Sequence, residues 1–162
     1  LTGSNNQGQF YAQKDDFFLD VGCGSGVSLL EAKYLGANPY GLEADPNVKR
    51  IAKNLNLRIF NGELEDSPFK KIFFDLIVLN QVIEHIPEPD LLLQKLRNNL
   101  TKKGLIIISI PNVNSFWRFL FKENWINWHV PYHLHHFNKK NFIKMIDKCG
   151  LKIIKSLSLI HI

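Results

Sequence analysis

The stretch Phe17-Phe18-Leu19-Asp20-Val21-Gly22-Cys23-Gly24-Ser25-Gly26 limits the fold of this chain more than any other. An apolar run ends in an acid, and three glycines follow at alternate positions. Val27-Ser28-Leu29-Leu30-Glu31-Ala32 then reads as the first turns of a helix. The pattern predicts a strand, a tight turn and a helix N-terminus. Glycine lacks Cβ, so such a turn can take positive φ and a ligand can lie directly on the backbone. Unpaired N–H groups at the helix start then face that ligand. The spacing is Gly-x-Gly-x-Gly, not the Gly-x-Gly-x-x-Gly of the dinucleotide fingerprint, and no Gly-Lys-Ser/Thr follows to make a P-loop.

The remaining chain repeats strand and helix signals. Pro39 to Glu43 reads as a second strand with Glu43 at its C-terminal end. Asp45-Pro46 reads as an N-cap and first helical residue, opening a helix to about Leu55. Leu57 to Phe60 is a third strand, followed by a polar loop over 61–69. Phe73 to Leu79 is a fourth, and its nearly unbroken apolar run (Asp75 excepted) suits a strand buried on both faces. Asn80-Gln81-Val82-Ile83-Glu84-His85 leads off its end. Pro89-Asp90 opens a helix to about Leu100, and Gly104 to Ile110 is a fifth strand. Asn138 is the expected N-cap of a helix over 139–149, and Leu151 to Leu159 reads as a sixth strand. This alternation predicts a Rossmann-like α/β fold: an open, mostly parallel, twisted sheet with helices on both faces. Ligands in such sheets bind beyond the carboxyl ends of the strands, near the switch in strand order. The glycine turn, Glu43, the 61–66 loop and the 80–85 segment are all expected at that edge.

Composition narrows the function classes. At 162 residues, 45% hydrophobic and 22% charged, the chain suits one soluble globular domain over 17–162. Residues 1–16 are polar and expected to be partly disordered. They lack the apolar core of a secretory signal, and no run approaches the length of a membrane span. Cys23 and Cys149 are too few for a disulfide framework, which fits a reducing, cytoplasmic setting. The net charge of +5 is spread over several predicted helices and loops, as on solvated faces. No nucleic-acid motif accompanies it, so nucleic acid is not the expected partner. An aromatic insertion over 112–137 holds all three tryptophans and reads as core or lid.

Taken in order, five segments resemble the class I S-adenosylmethionine-dependent methyltransferases, in particular the small domains grouped with ubiquinone-biosynthesis O-methyltransferases. They are Leu19 to Gly26; Gly41-Leu42-Glu43; Gly62-Glu63-Leu64-Glu65-Asp66; Phe74 to Leu79 with Glu84-His85; and Leu100 to Gly104 through Pro111-Asn112. Pro131-Tyr132-His133-Leu134-His135-His136-Phe137 resembles the family's Pro-x-His-x-x-His-Phe run. The likeness extends over about residues 17 to 159. The family's seventh strand is missing from this reading.

The resemblance implies S-adenosylmethionine as cofactor and a small-molecule methyl acceptor, with transfer to oxygen. Gly22, Cys23, Gly24 and Gly26 would cradle the methionine end, with Asp20 and Asn80 flanking its amino group. Glu43 would take the ribose hydroxyls, and Glu63 and Leu64 the adenine, although the family commonly has Asp at position 63. His85 and Glu84 are the candidate catalytic pair, and Gln81 and His133 the candidate acceptor pocket. In ubiquinone-type relatives a Glu-x-x-Glu-His motif holds a divalent metal. Gln81 stands here at its first position, and no metal is predicted.

Other readings stand beside these. The glycine turn could serve NAD or a nucleotide. Glu84-His85 could be a structural pair, and His129, His133, His135 and His136 match no defined zinc spacing. Methylation of RNA or another macromolecule, or a non-catalytic cofactor-binding module, are the alternatives to a small-molecule enzyme.

Overall fold

A computed structural model describes residues 8–156, and the end of the expected sixth strand lies outside them. Two compact units emerge. Of the described residues, 8–82 with Asn98–Ser109 form the first; Ile83–Arg97 and 110–156 form the second.

The first unit is built on five parallel strands: β1 (Phe17–Val21), β2 (Asn38–Glu43), β3 (Arg58–Asn61), β4 (Phe74–Asn80) and β5 (Leu100–Ser109). Their order is β3-β2-β1-β4-β5. The chain therefore winds outward from β1 in one direction and, after β4, in the other, so the switch in order falls between β1 and β4. Asp20 pairs in register with Val78 on one side and Gly41 on the other. Phe18, Leu19, Leu76, Ile77, Val78 and Leu79 are all almost fully buried, each stabilising the sheet by about 1.5–3 kcal/mol relative to exposure. Asp75 interrupts this apolar strand without cost because both oxygens are used. Phe17 N–H donates to one at 3.0 Å and the Thr101 hydroxyl to the other at 3.1 Å.

Helices α1 (Val27–Tyr34) and α2 (Val48–Leu55) connect the first three strands. The start of α2 departs from expectation. Asp45 does not cap it; its carboxylate takes the Asn47 amide at 2.9 Å in a local turn, and Asn47 becomes the N-cap. Strand β5 starts four residues earlier than its apolar run suggests. Its register shifts between Phe74 and Leu76, where Thr101–Gly104 lie opposite Asp75 alone in an irregular bulge.

Of the polar N-terminal segment over 1–16, residues 1–7 lie outside the described residues. Gly8–Tyr11 form a 3₁₀ turn, and Gly8, Gln9 and Ala12 are buried. A Cβ on Gly8 would lie 2.8 Å from Val78 Cγ2 and 3.0 Å from Ile107 Cγ2, so the turn is pressed flat on β4 and β5.

The second unit contains α3 (Pro89–Asn98, through Arg97), α4 (Phe116–Phe121) and α5 (Lys139–Lys148). Asn138 caps α5 as its sequence predicts, accepting from Asn141 N–H at 2.9 Å. Ser115 caps α4 in the same way. The aromatic insertion is only partly core: Trp125 is buried, whereas α4 buries no residue and Phe119 is 74% exposed. Residues 151–156, expected to begin a sixth strand, form none. Lys152, Ile154 and Lys155 are exposed, and Leu151 and Ile153 are half-buried.

Candidate functional site

The turn after β1 is shaped as its glycines require. Gly22, Gly24 and Gly26 all have positive φ, at 74°, 50° and 78°. At Gly22 an added Cβ would meet Val82 Cγ2 at 2.5 Å, whereas at Gly24 nothing lies within 4 Å. Gly22 therefore closes the turn against the chain behind it, and Gly24 presents bare backbone to open space.

The donors of this turn are used differently from a simple amide cradle. The Gly22 and Cys23 amides both donate to Leu42 O, and Gly26 N–H donates to Cys23 O. Gly24 N–H donates to Glu43 Oε2 at 2.8 Å, and Asp45 N–H donates to Glu43 Oε1 at 3.0 Å. Asn61 adds a bond from its amide to Glu43 O. The acid at the end of β2 is thus held by two main-chain amides, and each oxygen keeps a further lone pair for a ligand. Cys23 contributes backbone rather than sulfur. Its side chain turns into the core beside Gly41, and burial, followed by Asp20 and Glu43, pushes its thiol up to about 12.

A cavity of about 170 Å³ opens at the carboxyl ends of β1 and β4. Asp20, Gly22, Cys23 and Asn80 line it, as do Gln9, Ser25, Val27, Ser28, Glu31 and Val78. Asp20 is 5% exposed, and burial raises its carboxyl to about 7, a shift opposed by the Ser28 hydroxyl and assisted by Glu43. The Ser28 hydroxyl donates to Asp20 Oδ2. Gln9 Nε2 donates to Glu31 Oε2 at 2.6 Å. Among the side chains lining the cavity none is cationic, so its ionisable groups favour a positive ligand group.

Gln9, Ser28 and Glu31 were not among the sequence candidates. Ser28 and Glu31 are three apart on α1, the helix that starts at the glycine turn, and that spacing puts them on one face. Gln9 carried no signal, since a glutamine in a polar segment reads as solvated.

Glu63 and Leu64 sit after β3, where Glu63 precedes a 3₁₀ turn over Leu64–Asp66. Glu63 is exposed and Leu64 is buried, so only the main chain of Leu64 is available to a ligand. Gln81 follows β4 with φ 54° and an exposed side chain, its amide bonded to Ser109 O at 2.9 Å.

The second unit brings Glu84, His85 and His133 together. Each offers a ligand atom, and these lie within 4.8 Å of one another. The loop carrying His133 is stitched to Glu84 by Leu134 and His135 amides donating to Glu84 O. His85 Nδ1 lies 2.9 Å from Tyr132 O, and His133 Nδ1 lies 2.8 Å from Asn127 O. Those carbonyls place the hydrogen on Nδ1, which leaves Nε2 of each neutral ring as the basic atom. Glu84 is fully buried, and among the described residues neither carboxylate oxygen has a hydrogen-bond partner. Burial raises its carboxyl above the usual range, against its own amide and His85. His133 is held below the usual imidazole value by burial and by His85, His129 and His136, against its bond to Asn127. Two imidazoles and a carboxylate also form a donor set able to hold a divalent ion.

The model of a methyltransferase domain matches residues 9–156. This chain belongs to the methyltransferase-domain family. It is 25% identical over 142 residues to an uncharacterised protein of Methanocaldococcus jannaschii, covering 85% of this chain and 65% of that one. It is 29% identical over 145 residues to a ubiquinone biosynthesis O-methyltransferase of Cereibacter sphaeroides, covering 82% and 59%. The chain thus spans less than two thirds of the length of these relatives. A plantazolicin methyltransferase solved in complex with SAH superposes with a TM-score of 0.71 at 20% identity, over 88% of this chain and 61% of that one. A SAM-dependent methyltransferase from Archaeoglobus fulgidus gives 0.70 at 20% identity, over 86% and 62%. These likenesses carry the open parallel sheet of the methyltransferase domain.

Proposed function

We propose that this methyltransferase domain binds S-adenosylmethionine along the carboxyl edge of its sheet and transfers the methyl group to a small molecule, at oxygen. The observation that carries the reading is Glu43 held by the amides of Gly24 and Asp45, one strand away from a cavity lined by Asp20 and Asn80. An acid fixed at that place suits a pair of vicinal ribose hydroxyls. Bare backbone at Gly24 suits close passage of the chain between sugar and amino acid. Asp20 and Glu31 suit the ammonium of the methionine end.

When bound, the sulfonium supplies a methyl group already activated for in-line displacement. The domain's own work is then to exclude water, align the acceptor and take its proton. His85 carries the last role in this reading, through Nε2, with Tyr132 O orienting the ring. Glu84 supports it as a buried acid beside the imidazole in sequence, and Gln81 and His133 are each read as residues that meet the acceptor. Gln81 stands where a first acidic ligand would be needed beside Glu84 and His85, so the transfer is read as metal-independent.

Calorimetry of the protein with S-adenosylmethionine, adenosylhomocysteine and NAD tests the cofactor. Binding of the first two and not the third is expected, and binding of NAD alone would reject the reading. The acceptor class is tested by methyl turnover on phenolic and carboxylic small molecules against RNA. Methyl incorporation into RNA alone would move the reading to a macromolecular substrate.

A further inference from the structure

The geometry points to Gln9 as a positioning residue for the amino-acid end of the cofactor, held by Glu31 so that a neutral side chain closes an anionic cavity. This inference rests on the cofactor reading above and concerns a wall of the same cavity.

Three observations carry it. Gln9 is only 3% exposed although it belongs to a polar segment, and its side chain lines the cavity with Asp20, Ser28 and Glu31. Its amide is committed to Glu31 at 2.6 Å, a short bond to a charged acceptor. Its place is fixed from behind, because Gly8 fits against Val78 and Ile107 with no room for a side chain, and Ala12 N–H closes the turn on Gln9 O at 3.0 Å.

The chemistry follows from what the amide does not do. A lysine or arginine at position 9 could also pair with Glu31, and would cancel its charge. An amide orders the carboxylate and leaves the charge in place. The cavity then keeps Asp20 and Glu31 as acceptors for an ammonium group, while the Ser25 hydroxyl can serve the neighbouring carboxylate, the Ser28 hydroxyl being given to Asp20. A zwitterionic amino-acid end requires both kinds of partner.

The test uses two ligands and two variants, measured by calorimetry. Adenosylhomocysteine carries the amino-acid end; 5′-methylthioadenosine has the same nucleoside and thioether without it. Gln9→Lys keeps a partner for Glu31 and cancels its charge. Glu31→Gln keeps a hydrogen bond and removes the charge. Both are expected to weaken adenosylhomocysteine by about tenfold or more, the size of a lost charge-assisted hydrogen bond. Both should leave 5′-methylthioadenosine within about twofold, as expected for a group away from the change. The thermal midpoint of ligand-free Gln9→Lys should stay within about 2 °C of the parent, so a merely structural role would not reproduce this pattern. Unchanged adenosylhomocysteine affinity, or equal loss for both ligands, would overturn the inference while leaving the cofactor reading intact. Failure of the parent protein to bind adenosylhomocysteine would overturn the cofactor reading itself, and this inference with it.

Discussion

Glu43 and Gly24 are joined by a 2.8 Å hydrogen bond from the glycine amide to Glu43 Oε2, tying the end of β2 to the turn after β1. The bond aligns an acid with a stretch of bare backbone, which is the arrangement a nucleoside with a charged tail requires. It also makes Glu43 part of the turn's structure. Replacing Glu43 with alanine should weaken adenosylhomocysteine binding by about 1–3 kcal/mol, roughly five- to 150-fold, as for one charged hydrogen-bond acceptor. Calorimetry checks the affinity, and affinity within twofold of the parent would remove Glu43 from the site.

Gly22 and Gly24 should separate stability from binding. Gly22→Ala places a Cβ 2.5 Å from Val82 at a positive φ and should destabilise the fold by about 2 kcal/mol or more. Gly24→Ala meets open space, so only the φ of 50° opposes it, at about 1 kcal/mol. Its methyl group would nevertheless stand where a ligand crosses the turn. Denaturant unfolding should rank Gly22→Ala as the less stable variant, and calorimetry should show cofactor binding impaired in Gly24→Ala.

Asp20 should make the ligand-free protein less stable as pH rises. Its carboxyl is raised from 3.8 to about 7 by burial, so the folded state holds a proton that the unfolded state has released between those values. The contribution is fully favourable below about 4, is lost as pH climbs to about 7, and is constant beyond. A tenfold change in proton affinity corresponds to about 1.4 kcal/mol, so the total is a few kcal/mol. Asp20→Asn should flatten this part of the profile and raise stability at pH 8 while weakening the cofactor. Urea unfolding at pH 5 and pH 8 measures it, and parallel profiles for the two proteins would count against the assignment.

Glu84 presents the same trade in the second unit. A buried carboxylate with neither oxygen paired is costly when ionised, and its raised carboxyl reflects that cost. Glu84→Gln removes the charge at equal volume and should leave the protein as stable at neutral pH or more so, by about 1 kcal/mol. Methyl turnover should fall, and unchanged turnover would return Glu84 to a structural role.

Metal removal tests the same residues from another side. With Gln81 in place of a first acidic ligand, prolonged dialysis against EDTA should leave turnover within about twofold. Loss of turnover restored by zinc would make Glu84, His85 and His133 ligands rather than base and pocket.

The residue pattern alone determined the parallel α/β sheet, because its evidence is local. Buried strands are continuous apolar runs, and the glycines at 22, 24 and 26 are required by backbone angles within the same few residues. The placement of Glu43 and Asn80 at the carboxyl edge was legible for a related reason: each ends a strand of the parallel sheet. The departures arose where a competing partner, local or distant, takes a residue. Asp45 was expected to cap α2 but closes a tighter turn, and β5 begins early because a bulge lets Leu100 pair before the apolar run starts. Gln9 lay in a segment whose composition signals solvent, and its burial depends on Glu31, which meets it only after the chain has folded. His133 likewise joins Glu84 and His85 across almost fifty residues, through a loop held by main-chain bonds that no side-chain pattern encodes. Strand order and cradle are thus properties of short sequence windows. The identity of the cavity walls is a property of contacts between windows, where hydrogen-bond satisfaction and burial are decided only in three dimensions.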